Sequence, residues 1–192
     1  MIFPKYTFLL GTLILALFYL SPEPQLWYLD LERVLQGEYW RLLTGHFMHV
    51  DGEHLLWNIL ALIILGFVIE QNNRFSLILS LGVSIVCLDI FLLSSWSHLD
   101  IYCGFSGVLN SLLVTALYGQ MQKQKSLIFI FIGGICFIKI VSEILMNQAL
   151  FSNISWPSYP YAHLIGFFSG AIIETTKHFL FSLSKQGALN GI

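Results

Sequence analysis

The sequence predicts an all-α polytopic membrane protein: one domain over residues 1–192, a bundle of six transmembrane helices with a membrane-embedded first external loop. Three observations predict it. Hydrophobic residues make up 56% of the 192-residue chain and charged residues only 10%, against about a quarter charged in soluble domains. Mean hydropathy is +0.75. Six apolar stretches follow one another, roughly 3–20, 54–70, 75–93, 105–119, 126–146 and 160–181. Each approaches the roughly 20 residues with which a helix crosses about 30 Å of hydrocarbon, and a lone strand would leave its backbone groups unsatisfied in lipid.

The first stretch follows Lys5 and ends in Phe18-Tyr19-Leu20 before Ser21-Pro22-Glu23-Pro24. A charged start and an apolar run also fit a secretory signal, but the small residues favoured at a cleavage site are missing, so a retained span is expected. Segment 21–53 carries Trp27, Tyr28, Tyr39 and Trp40 among a few charges. Such aromatics favour the bilayer interface, which places this loop on or partly within the outer leaflet. Between the remaining stretches the basic residues divide unevenly: Lys5, Arg74, Lys123, Lys125, Lys177 and Lys185 on one side, Arg33, Arg41 and Lys139 on the other. That asymmetry puts both termini in the cytoplasm. A net charge of −2 with scattered basic residues argues against nucleic acid as a partner. Cys87, Cys103 and Cys136 are odd in number and lack metal-type spacing, so no disulfide framework follows.

Polar groups within apolar spans are costly, and those that persist usually face a protein interior or a wet cavity. The fourth stretch opens Gly104-Phe105-Ser106-Gly107, and the sixth opens Ala162-His163 and continues through Gly166 and Gly170. Counted from Lys123 and Lys177, Ser106 and His163 lie about 25 Å and about 21 Å along their helices, at similar heights beneath the outer surface. His163, Gly166 and Gly170 share one helical face. A small-xxx-small groove there, with Gly107 beside the serine, encodes close helix packing. The same features also fit a plain packing motif with Ser106 as a helix cap.

A further pattern starts the second stretch, where His54 and Asn58 sit at i and i+4, one above the other. Both can donate hydrogen bonds, and preorganised donors in a low-dielectric site stabilise the oxyanion that forms when a serine attacks a carbonyl. His46, His49 and His54 could instead be metal ligands, but their spacing is not that of a zinc helix and no carboxylate completes the set within the span. Neither a metal nor a cofactor is expected.

Together these residues resemble the rhomboid intramembrane serine proteases, in the bacterial form reduced to a six-helix membrane core. The resemblance runs from Trp40-Arg41, through His54-x-x-x-Asn58 and Gly104-x-Ser106-Gly107, to Ala162-His163-x-x-Gly166-x-x-x-Gly170. It implies a cell inner membrane protein that cleaves transmembrane segments of membrane-protein substrates. Ser106 would be the nucleophile and His163 the base, a dyad with no carboxylate behind the histidine. His54, Asn58 and the Ser106 backbone N–H would form the oxyanion site. His49 would support that site, and Trp40 and Arg41 would hold the first loop. Substrate would enter between the second and fifth spans. One departure stands out: the family commonly has a tyrosine packed on the histidine four residues after the serine, and here that position is Asn110. On the same face as Ser106, Asn110 is expected to hydrogen-bond His163 instead.

Other polar residues have simpler readings. Lys139 with Glu143, and Glu70 with Arg74, are spaced to pair along one helix face, and Asp89 suits a hydrogen bond to a neighbouring helix. Two rival functions are a small transporter and an inactive rhomboid-like protein that binds membrane clients without cutting them. The physiological substrates are not written in the chain.

Overall fold

The computed structural model describes residues 3–146, 150 and 159–190. Its helices are α1 (Lys5–Leu20), α2 (Leu31–Leu35), α3 (Arg41–Thr44), α4 (Gly52–Leu92), α5 (Ser106–Gln124), α6 (Ile128–Met146) and α7 (Pro160–Asn190). All six apolar stretches fall on helices, with the second and third merged into the 41-residue α4. They part at Asn73, whose φ of −159° and ψ of 106° leave the helical region. The Asn73 side-chain oxygen accepts from the Phe75 N–H at 3.0 Å. That cap starts the second arm of α4 and explains why an asparagine stands where two apolar runs meet.

Among the described helices, α4 and α6 are long and apolar enough to cross a bilayer, and α1 is a shorter apolar helix. Large apolar side chains face outward, as at Leu9, Ile64, Ile90, Phe131 and Ile138, while Ser80, Ser84, Ser111 and Thr115 are buried. Ser80 and Thr115 share a hydrogen bond of 2.7 Å between α4 and α5. Small polar residues inside and large apolar residues outside form the pattern of helices packed in lipid. α5 lies centrally and packs against α4, α6 and α7.

The first loop is not purely helical. Leu29–Asp30 (β1) pairs antiparallel with Ile101–Tyr102 (β2), in the register Leu29 to Tyr102 and Asp30 to Ile101. Two residues a side are too few for sequence alternation to announce a strand. Arg41, 4% exposed, secures the loop from beneath: Nη1 donates to the carbonyls of Gln25 (2.9 Å) and Tyr28 (2.8 Å), and Nε to Glu38 (2.7 Å). Trp40, by contrast, is half-exposed.

Glu70 departs from the pairing expected with Arg74. It reaches across to α1 and accepts from the Thr7 N–H and the Thr7 hydroxyl, both at 2.6 Å, and from the Tyr6 N–H at 3.3 Å. The first N–H groups of a helix have no partner within it, so a carboxylate there satisfies donors and meets the positive end of the helix dipole. Glu70→Ala should therefore destabilise the protein by about 1–3 kcal/mol, whereas Arg74→Ala should stay within about 0.5 kcal/mol. Thermal unfolding of both variants in detergent checks this, and equal melting temperatures would refute it.

Candidate active site

The turn that delivers Ser106 is built by Gly104. Its φ of +126° is one that L side chains rarely adopt, and a Cβ there would lie 2.7 Å from Cε1 of His54. Two further bonds fix the turn: the Gly104 N–H donates to the Gly45 carbonyl at 3.0 Å, and the Tyr102 hydroxyl donates to the Gly104 carbonyl at 3.0 Å. Ser106 is then the first residue of α5, so its N–H is one of the unpaired donors of a helix N-terminus.

Close helix contact brings His163 to it. A methyl on Gly166 would overlap the Gly107 carbonyl oxygen, and one on Gly170 would lie 2.7 Å from the Ser111 carbonyl oxygen. Only with hydrogen at both positions do α5 and α7 approach this far. One turn before Gly166, His163 Nε2 lies 2.9 Å from Ser106 Oγ. For the hydroxyl to donate in that bond, Nε2 must be unprotonated and Nδ1 must carry the ring proton. Gly107 itself is confined, since a Cβ would meet Leu88 at 3.0 Å and the Tyr102 hydroxyl at 3.1 Å.

Two expectations about His163 need correction. Asn110 does not bond the histidine; its side-chain N–H donates to the Ser106 carbonyl at 2.9 Å, the i to i+4 partner nearest to hand on its own helix. Nor is the space behind the ring free of carboxylate. Glu143 of α6, 1% exposed, holds Oε2 at 3.8 Å from His163 Nδ1. Its other oxygen accepts from Lys139 Nζ and from the Leu150 N–H, each at 2.8 Å. Along the chain Glu143 stands four residues from Lys139 and pairs with it, and that local partner hides its approach to a histidine on another helix.

On α4, Asn58 donates to His49 Nε2 at 2.8 Å, while His49 Nδ1 bonds the Phe47 carbonyl at 3.1 Å. The carbonyl requires N–H at Nδ1, which leaves Nε2 to accept. His54 stands edge-on to His49, ring centres 4.9 Å apart, and Asp51 caps its helix by accepting from the His54 N–H at 2.7 Å. Burial first, then the neighbouring His54, pull the His49 imidazole from 6.5 down to about 3. A base depressed on folding contributes its stability fully above about pH 6.5 and loses it as the pH falls toward about 3. Each pH unit in that window costs up to about 1.4 kcal/mol. Thermal unfolding of wild type should therefore fall off through this window more steeply than that of His49→Gln; parallel curves would refute the assignment.

A second long-range contact ties the first loop to α4. His46, fully buried, bonds Asp89 at 2.9 Å through Nε2 and lies edge-on to Tyr102, ring centres 5.4 Å apart. An acid inside an apolar span was the available signal; its partner in the first loop was not foreseeable from spacing. Among the described residues no group of three or more His, Cys, Asp or Glu is placed to hold a metal ion.

A cavity of about 450 Å³ opens over the pair, lined by Ser106, Asn110 and His163, with Ala61, Ile64 and Leu65 of α4 on one side and Cys136, Lys139 and Ile140 of α6 on the other. A larger one of about 730 Å³, lined by Asn72, Ser76, Lys123 and Lys177, contains neither Ser106 nor His163.

The family model for the Rhomboid domain matches residues 36–178. The chain is also similar to the Rhomboid protease GluP of Bacillus subtilis (strain 168), with 30% identity over 148 residues. That alignment covers 75% of this chain and 28% of the relative, so the chain spans little more than a quarter of that protein's length.

Proposed function

The chain belongs to the rhomboid family, and from that premise we propose that it is an intramembrane serine endopeptidase cleaving transmembrane segments of membrane-protein substrates. The observation that carries this reading is the 2.9 Å contact between Ser106 Oγ and His163 Nε2, made by two separate helices. A hydroxyl so placed loses its proton to the imidazole as it attacks a carbonyl carbon. The carbonyl oxygen takes up the charge, the C–N bond breaks, and His163 returns the proton to the leaving amine. Water then hydrolyses the acyl-enzyme by the same steps, with His163 again as base.

Three donors serve the oxyanion: the Ser106 N–H at the positive end of α5, Asn58 and His54. An asparagine amide has two N–H groups; one of Asn58's is spent on His49, and the second remains for substrate. His49 thus orients Asn58, and Gly104, Gly107, Gly166 and Gly170 allow the close approach on which the geometry depends. Asn110 steadies the first turn of α5, while Trp40 and Arg41 anchor the first loop.

In this reading all six apolar stretches cross the cell inner membrane as a single domain over residues 1–192, with both termini cytoplasmic. α4 makes two passes that meet at Asn73, since 41 helical residues would extend about 60 Å, twice the hydrocarbon thickness. Substrate enters sideways between the first arm of α4 and α6, whose side chains line the cavity above Ser106. Segments with Gly, Pro or small residues unwind more readily and expose a bond.

The test is a reporter transmembrane segment incubated with the purified protein in detergent and in liposomes, alongside labelling by a fluorophosphonate. Wild type should cleave the reporter and be labelled at Ser106, and Ser106→Ala should do neither. Cleavage surviving in Ser106→Ala would sink the proposal, as would a wild type that retains the reporter uncut, which is the behaviour of a client-binding relative.

A further inference from the structure

We infer that Glu143 is the positioning carboxylate of His163, so that the centre works as Ser106, His163 and Glu143 drawn from three helices; this rests on the protease reading above. Three features of the site lead to it. The Ser106 contact uses His163 Nε2, which leaves the proton on Nδ1 without an assigned acceptor. Asn110, the nearby polar side chain that could have supplied one, is turned to the Ser106 carbonyl. The Glu143 carboxylate is almost wholly buried, and its Oε2 has no hydrogen-bond partner among the described residues.

An ionised carboxylate without water is costly unless its oxygens are matched. Lys139 and the Leu150 N–H match Oε1. A residue serving only as the partner of Lys139 has no need to send its second oxygen inward. That oxygen points at the histidine ring, 3.8 Å from Nδ1. Such a separation is longer than a hydrogen bond, and contacts of this kind in an empty site tighten when the reacting complex forms.

The charge balance is simple. As the Ser106 Oγ–C bond forms, the hydroxyl proton passes to Nε2 and the ring becomes an imidazolium with N–H at both nitrogens. Nδ1–H then donates to Glu143, which stays ionised throughout and takes no proton. When the peptide bond breaks, the Nε2 proton leaves with the amine and the ring is neutral again. Glu143 does two things in this sequence: it selects the tautomer in which Nε2 is free to accept, and it opposes the positive charge as it develops. Lys139, 39% exposed on its side chain, keeps the carboxylate aimed.

The experiment compares wild type, Glu143→Gln and Glu143→Asp in reporter cleavage, thermal unfolding and ¹⁵N spectra of the His163 ring. Gln keeps the shape but loses the charge, and it can donate to Nδ1 and so favour the wrong tautomer. Its kcat should fall by about 10²- to 10⁴-fold with KM within about twofold. Asp should recover at least about tenfold of that loss, because it keeps the charge. The wild-type ring should carry its proton on Nδ1, with the Gln variant shifted toward Nε2. A Gln variant turning over at the wild-type rate, or a wild-type ring protonated on Nε2 alone, would overturn the inference. The ring spectrum needs no cleavage, so it decides the point even where a variant is too unstable to assay. Failure of the protease reading would appear separately, as cleavage by Ser106→Ala.

Discussion

Ser106→Ala and His163→Ala should each slow reporter cleavage by at least about 10³-fold, and the double variant should be no slower than either alone. In the proposed mechanism the two groups act as one unit across 2.9 Å: without the imidazole the hydroxyl is a weak nucleophile, and without the hydroxyl the imidazole has nothing to activate. Losses that multiplied in the double variant would mean that the groups act in separate steps, against the mechanism proposed above. Folding should barely change in Ser106→Ala. The cap position of α5 is Phe105, with no side-chain cap bond, so removing the hydroxyl forfeits no helix cap and the change should stay within about 1 kcal/mol. Thermal unfolding alongside the kinetics separates a chemical loss from a structural one.

Gly166→Ala should be the most damaging single-methyl change. The added carbon would overlap the Gly107 carbonyl oxygen and lie 2.9 Å from the Gly107 carbonyl carbon. Both are backbone atoms that no rotamer change can clear, so α5 and α7 must separate. The expected cost is about 2–4 kcal/mol. Activity should fall further than stability, because His163 is one turn away and a displacement of about 1 Å at a reacting pair costs about 10²-fold in rate. Gly134→Ala on α6 is the control, since among the described residues a Cβ there meets nothing within 4 Å. It should melt no lower than wild type, because alanine favours helix over glycine by about 1 kcal/mol. Equal activity and melting temperature in the two variants would show that the close contact is dispensable.

The parts of the site that can be read from the chain are those whose partners lie at helical spacing. His163, Gly166 and Gly170 declare one face, and Gly107 beside the serine declares close packing there. The six apolar runs likewise mark where helices form. What cannot be read is contact between elements far apart in sequence. Glu143 looks like the mate of Lys139, and nothing in its neighbourhood along the chain points to His163. Glu70 looks like the mate of Arg74 but serves the start of α1, and Asp89 meets His46 across 43 positions. A buried acid announces that it needs a partner; its spacing along the helix names only the local candidate. Asn110 is the opposite case, since its side chain donates to a carbonyl on its own helix and not to a ring on another.

The short ladder between β1 and β2 sets a lower limit on what can work as a unit. Through it, and through the Gly104 N–H on the Gly45 carbonyl, residues far upstream of Ser106 brace the peptide on which it turns. A fragment beginning at α4 would contain Ser106, His163 and every donor assigned to the oxyanion, yet lack both braces. It should span the bilayer and still cut nothing, and adding the missing segment back as a separate peptide should restore turnover.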